Sequence, residues 1–190
     1  MENTGYRNFG QKLAMHTAPT LLGIKCASLL SLRIESEEVC DYSAYFNYRV
    51  SAKGLKSRIL CSCRSHTLLL VYHEKLLTAR LADRSARKVL ENSGYASDWS
   101  LEECLSFLAQ RIQCSSEFPH EIGIFLGYPT EDVLGFIANH GDNYKFCGCW
   151  KVYGCEESAK RTFANYEKCR KFLCNKLNEG ADLYQALKLS

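Results

Sequence analysis

The chain has 190 residues, of which 46% are hydrophobic and 24% charged, and its formal net charge is +3. These proportions exclude a disordered or fibrous chain, and the length supports one sizeable core, so we expect a single domain over residues 1–190. The small net charge gives the whole molecule no strong attraction for nucleic acid or an anionic membrane, and nucleic acid is not an expected partner.

The N-terminal residues and the cysteines together indicate a compartment. Residues Met1–Asn8 lack the basic and apolar regions of a secretory signal, and no apolar run approaches the roughly 20 residues of a membrane-spanning helix. We therefore expect a cytoplasmic protein. Its eleven cysteines should be mainly free thiols, because disulfides are rare in that compartment and an odd number cannot pair completely.

The first elements are predicted from helix breaks and apolar runs. A helix over Tyr6–His16 should stop before Pro19, because the residue before a proline disfavours helical angles. The apolar run Ile24–Leu32 fits a strand or a buried helix, and we favour the strand. Glu37–Ser51 is predicted to be helical.

The middle of the chain carries the clearest local patterns. Ser57–Cys63 and Thr67–His73 are predicted to form an antiparallel hairpin with a short connection. Glu74–Asn92 should be one helix that ends at Gly94 with a left-handed cap. Ser100–Glu103 has the capping-box pattern that begins a helix.

The C-terminal half alternates between predicted strands and helices. His120–Gly127 is predicted to be a strand, Thr130–Ala138 a helix, Asn143–Tyr153 the last strand and Glu156–Leu177 the last long helix. The resulting fold class is α+β, with a mixed sheet of about five strands that includes the central hairpin and is flanked by helices.

Two cysteines in the last predicted strand form the first candidate site. A two-residue period places Lys145, Cys147, Cys149 and Lys151 on one face of that strand. The lysines would favour the thiolate forms and so raise thiol reactivity or metal affinity.

A second pair, Cys61 and Cys63, has the same spacing. Together with Cys147 and Cys149 it could present four sulfurs to zinc or an iron–sulfur cluster, the only cofactors that the sequence suggests. The spacing lacks the two-residue gap of a zinc knuckle, however, so burial of these thiols as small apolar side chains is the favoured interpretation.

A polar candidate site surrounds the predicted strand 120–127. Glu121, Tyr128, Glu131 and Asp132 could supply acid–base groups or oxygen ligands for a hard metal. The acidic pair is also expected in a first helical turn on electrostatic grounds alone. An extended strand would place His120 roughly 25 Å from Tyr128, so these two side chains should not share a site.

Three segments resemble a bacterial family of domains of unknown function. They are HEIGIFLGYPTEDVLGFI at His120–Ile137, YKFCGCWKVY at Tyr144–Tyr153 and APTLLGIK at Ala18–Lys25. Members of the family are small and occur largely in anaerobes, often near genes for iron uptake and flavodoxin. The resemblance implies metal or redox physiology and transfers no catalytic residue. Cys149 departs from the family, in which an aromatic residue is expected.

Two functions are preferred to a third, a small-molecule enzyme built around Glu121 or Tyr128, which requires a pocket. The favoured one is a non-catalytic binding or regulatory module with a protein partner or small-molecule ligand, accessory to iron or redox metabolism, because no complete catalytic constellation is visible. The alternative is a thiol-dependent enzyme or metal-binding protein that uses Cys147 and Cys149.

Overall fold

The computed structural model describes residues 4–33, 36–62, 66–114 and 117–188. The helices are α1 (Thr4–Leu21), α2 (Ser36–Val50), α3 (Glu74–Ala82), α4 (Arg84–Asn92), α5 (Leu101–Cys114), α6 (Ile122–Phe125), α7 (Thr130–Ala138), α8 (Glu156–Asn178) and α9 (Leu183–Ala186). The strands are β1 (Ala27–Leu32), β2 (Leu55–Ser62), β3 (Thr67–His73), β4 (Phe146–Cys147) and β5 (Lys151–Val152). No helix within these ranges is both long enough and apolar enough to cross a membrane.

The larger sheet has three antiparallel strands in the order β1-β3-β2. Its central strand β3 is apolar on both faces, since Leu69, Leu70 and Val71 are fully buried. The predicted hairpin of β2 and β3 is confirmed, although residues 63–65 of its connection lie outside the described residues. The strand predicted at 24–32 is confirmed as β1, which pairs with the other edge of β3.

Alternation along β3 produces a core on each face of this sheet. Leu70 points into a first core covered by α3 to α7, whereas Leu69 and Val71 point into a second core covered by α1, α2, α8 and α9. A smaller cluster around Trp150 and Val152 joins the β4–β5 hairpin to the N-terminal half of α8. The described helices therefore lie in a layer on either side of the sheet.

The α+β class is confirmed, but the strands are arranged differently from the predicted mixed sheet. The described strands form two separate antiparallel sheets, of three and two strands. The predicted strand 143–153 is in fact the short hairpin of β4 and β5, in which Gly148 N donates to Trp150 O at 3.1 Å. This hairpin is held by α7 and α8 and pairs with no strand of the larger sheet.

The prediction of a strand at 120–127 is wrong. The segment is a compact helical turn, α6, in which Ile124 N donates to Glu121 O and Leu126 N to Ile122 O, each at 2.9 Å. All four residues of α6 are buried. An apolar run that is buried on every side has no period with which to distinguish a strand from a helix.

Two predicted helices also differ from those in the structure. Helix α1 continues through Pro19 to Leu21, because its buried stripe packs into the second core and carries the helix past the proline. The single helix predicted over 74–92 is broken at Asp83, whose carboxylate caps α4 by accepting from Ser85 N and Ala86 N at 3.0 Å each. The left-handed cap at Gly94 and the box at Ser100 are confirmed.

Candidate functional site

A cleft of about 380 Å³ opens between the α6–α7 region and the β4–β5 hairpin. We call it the hairpin cleft. Its apolar and aromatic walls are formed by Phe118, Ile122, Tyr128, Val133, Phe136 and Trp150. The other side chains that line it are those of His120, Asp132, Cys147, Cys149 and Lys151. A concave apolar surface with a few polar groups is the usual form of a small-molecule site.

Asp132 fixes the hairpin to α7. Its buried carboxylate accepts from Trp150 Nε1 at 2.7 Å and from the backbone nitrogens of Tyr153 and Gly154 at 2.7 and 2.8 Å. The negative charge of Asp132 is thus met by three donors. In this arrangement the carboxylate sets the position of Trp150 in the cleft wall.

Trp150 is the centre of an aromatic stack. Its ring lies parallel to that of Tyr128, with centroids 4.8 Å apart, and meets the edge of Phe163 at 4.4 Å. Gly148 allows this packing, since a Cβ there would lie 2.3 Å from Phe163 Cε2. Burial and the neighbouring Cys149 raise the pKa of Tyr128 to about 12, which keeps its hydroxyl protonated at neutral pH.

The two lysines predicted to activate the cysteines are directed to backbone carbonyls. Lys145 Nζ donates to Gly154 O at 3.0 Å, and Lys151 Nζ donates to Gly141 O at 2.6 Å. Lys151 also lies 4.9 Å from the centroid of the Tyr144 ring. Cys147 pairs with Lys151 across the hairpin, whereas Cys149 lies in the turn.

The cation that acts most strongly on Cys149 is Lys25, which precedes β1. Its Nζ lies 5.4 Å from the ring centroid of Tyr128 and 5.5 Å from that of Tyr166. Burial lowers the pKa of the Lys25 amine, and the Cys26 and Cys149 thiols act in the opposite direction.

The Cys149 thiol is affected by the same environment. The residue is exposed overall, yet partial burial of its thiol raises its pKa. Lys25 and Arg170 lower that pKa, and Glu167 raises it. Cys149 therefore gives up its proton less readily than an ordinary cysteine, despite the two cations nearby.

Glu121 lies away from the cleft in a buried ion pair. Its carboxylate accepts from Arg111 Nε at 2.5 Å and from the Tyr95 hydroxyl at 3.3 Å, and only 3% of the residue is exposed. Burial and the Glu121 charge raise the pKa of Tyr95 well above its usual value. These contacts join α5 to the start of α6.

The structure brings together some of the sequence-predicted residues and separates others. Tyr128, Asp132, Cys147, Cys149 and Lys151 line the cleft. Those outside its lining are Glu121, Lys145, the exposed Glu131 on α7, and Cys61 on β2 of the other sheet, while Cys63 is not among the described residues.

The expectation that His120 and Tyr128 do not share a site is wrong, since both line the cleft. The helical turn of α6 shortens the path that an extended strand would have taken between them. Within the described ranges, no group of three or more His, Cys, Asp or Glu residues is placed to hold a metal ion.

Sequence reasoning missed Lys25, Trp150 and Phe136 as site residues. The family-like segments Ala18–Lys25, His120–Ile137 and Tyr144–Tyr153 contain all three of them, and this was the available signal. Folding brings residues of all three segments together, since Lys25 lies next to Tyr128 and Cys149. A second cavity of about 440 Å³ lies between α1, α2 and the α8–α9 turn, but none of the predicted site residues lines it.

Comparison with known proteins identifies a family of unknown function. No curated protein and no protein of solved structure matches the chain. A family model described as "Protein of unknown function (DUF3793)" matches residues 13–187, which include the whole cleft and Lys25, and the chain belongs to this family.

Proposed function

We propose that this protein is a non-catalytic binding module that holds a small ligand with a flat ring in the hairpin cleft. The observation that carries the proposal is the convergence of two family-like segments on one cleft, where they place the stacked rings of Tyr128 and Trp150. A flat ring can pack against such walls at little entropic cost, because the aromatic side chains are already held in place.

The polar groups of the cleft are poorly placed to transfer protons, and this favours binding over catalysis. Asp132 and Lys151 are occupied by structural hydrogen bonds, and the raised pKa of Tyr128 makes its hydroxyl a poorer proton donor than an ordinary tyrosine. The proposal includes a cytoplasmic location and a role accessory to iron or redox metabolism. The resemblance to a family encoded near iron-uptake and flavodoxin genes supports that role.

Tryptophan fluorescence tests this function directly, because the chain has two tryptophans and only Trp150 lines the cleft. In a Trp99→Phe variant, a library of small aromatic metabolites should include compounds that change Trp150 emission saturably. The Trp150→Phe variant, which retains Trp99, is the control and should show no such change. If no compound changes Trp150 emission, or if Trp99 responds equally, the cleft is not the binding site.

The alternative is a thiol-dependent enzyme or a metal-binding protein, and it is favoured by the opening of Cys147 and Cys149 into the same cleft. Protein purified without oxygen should then contain stoichiometric zinc or iron, and the paired change Cys147→Ser and Cys149→Ser should remove it. Wild-type protein free of both metals, with ordinary alkylation rates at both cysteines, would contradict this alternative.

A further inference from the structure

Lys25 carries a partly buried charge that forms no ion pair with an anion among the described residues. Its amine makes no ion pair or hydrogen bond with any described residue and lies 5.4 and 5.5 Å from the ring centroids of Tyr128 and Tyr166. Contacts with ring faces stabilise a cation only partly, whereas burial of a charge without a partner is costly. A residue of this kind requires an explanation beyond packing.

Some charged groups around the hairpin cleft have hydrogen-bond partners, and others do not. Among the described residues that line it, the one carboxylate is that of Asp132, which already accepts from three donors. Of the cations, Lys151 has a backbone carbonyl at 2.6 Å, but Lys25 has no acceptor within the described ranges. Lys25 and Arg170 both act on Cys149, and the opposing charge of Glu167 acts less strongly than either. The field in the cleft is therefore positive on the side of Tyr128 and Cys149, the two lining residues that lie next to Lys25.

We propose that the hairpin cleft selects an anion, namely a small molecule whose flat ring carries a carboxylate, sulfonate or phosphate, and that Lys25 is the residue that recognises its charge. This inference rests on the proposed function and adds the chemical class of the ligand. The ring packs against the Tyr128–Trp150 wall, and the anionic group lies towards Cys149, where it supplies the missing counter-charge of Lys25.

Two dyes that differ mainly in charge test this selectivity. The probes are 1-anilinonaphthalene-8-sulfonate, an aromatic anion, and N-phenyl-1-naphthylamine, its neutral counterpart without the sulfonate. Dye fluorescence is titrated against the wild type, Lys25→Met and Lys25→Arg. The matched control is Lys145→Met, which removes an exposed lysine beside the hairpin that does not line the cleft. Cys147→Phe fills the cleft and shows which binding occurs there.

We expect Lys25→Met to weaken binding of the anionic dye about five- to tenfold, because a unit charge near 6 Å acts through an effective dielectric constant of about 20 and is screened by salt. Binding of the neutral dye should be unchanged in Lys25→Met, which also shows that the cleft is intact. Lys25→Arg should retain most of the affinity for the anion, and Lys145→Met should behave as the wild type.

The outcomes separate this inference from the function on which it rests. If Cys147→Phe abolishes binding of both dyes but Lys25→Met weakens neither, or weakens both equally, the anion selectivity is overturned and the binding cleft stands. If Cys147→Phe affects neither dye, the cleft itself is not a binding site, and both proposals fall.

Discussion

Asp132 is the residue on which the geometry of the hairpin cleft depends most. Replacing it with alanine leaves Trp150 Nε1 and two backbone N–H groups, those of Tyr153 and Gly154, without their acceptor. Loss of charged hydrogen bonds at a buried position should lower the free energy of unfolding by about 3 kcal/mol. Denaturant unfolding measures this change. The control is Glu131→Ala, an exposed carboxylate on the preceding residue, and equal losses in both variants would contradict the role of Asp132.

The pairing of Lys25 with Cys149 predicts a change in thiol chemistry. Burial raises the pKa of Cys149, and the cations of Lys25 and Arg170 oppose that rise, while Glu167 adds to it. Lys25→Met removes one opposing cation, so the pKa of Cys149 should rise further and its alkylation at neutral pH should slow. Because only the thiolate reacts, the alkylation profile should move to higher pH.

Iodoacetamide labelling at a series of pH values, followed by peptide mass spectrometry, measures the profile for Cys149. Cys114 at the end of α5 is exposed and serves as the internal control. A Cys149 profile that is unmoved, or that moves to lower pH, would show that Lys25 does not act on this thiol.

The sequence is informative about single residues only where their surroundings are local. The sequence makes Asp132 a candidate, but its position is also that of an ordinary acidic residue in a first helical turn. Its burial depends on the return of the hairpin from Tyr153 and Gly154. Lys25 reaches Tyr128 and Cys149 only through the tertiary fold, and no spacing rule could have joined them.

At the scale of elements, the β4–β5 hairpin depends on Gly148. A Cβ at this position would lie 2.3 Å from Phe163 Cε2, so Gly148→Ala must displace the Phe163 ring or the hairpin. Overpacking of this kind typically lowers stability by about 1–3 kcal/mol. Thermal unfolding should show the loss, and Trp150 emission should shift because its ring touches Phe163.

The adjacent change Cys149→Ala is the control for Gly148→Ala, since it shortens an exposed side chain in the same turn without a clash. Its melting temperature should remain close to that of the wild type. A stable Gly148→Ala protein with unchanged Trp150 emission would mean that Phe163 does not hold the turn in the way described.

Elements with local signals were predicted correctly, and elements set by burial were not. The β2–β3 hairpin and the start of α5 follow from alternation and capping, which the sequence displays. Segment 120–127 became α6 because its side chains are buried on all sides. The β4–β5 turn was not predicted, because the two-residue period of a strand continues through Gly148 in the sequence. In the structure the chain reverses direction there.

At the scale of the whole molecule, β3 and α8 connect the parts of the fold. Strand β3 contributes to both cores, and α8 packs against the second core with Leu173 and against the hairpin cluster with Ala159 and Tyr166. The stability of the cleft is therefore coupled to the packing of the second core. On this basis we propose that residues 1–190 form one domain.

The single-domain proposal predicts one cooperative unfolding transition. Leu13 in the second core is fully buried, and Leu13→Ala should lower the free energy of unfolding by about 3 kcal/mol through lost contacts and the remaining cavity. The change is measured separately in Trp99→Phe and Trp150→Phe backgrounds, so that the hairpin and the first core are each reported by one tryptophan. If the cores unfold together, each background should lose the same stability. If Leu13→Ala lowers the free energy of unfolding reported by Trp150 but not that reported by Trp99, the first core unfolds independently of α1. The molecule would then consist of two units divided at its larger sheet.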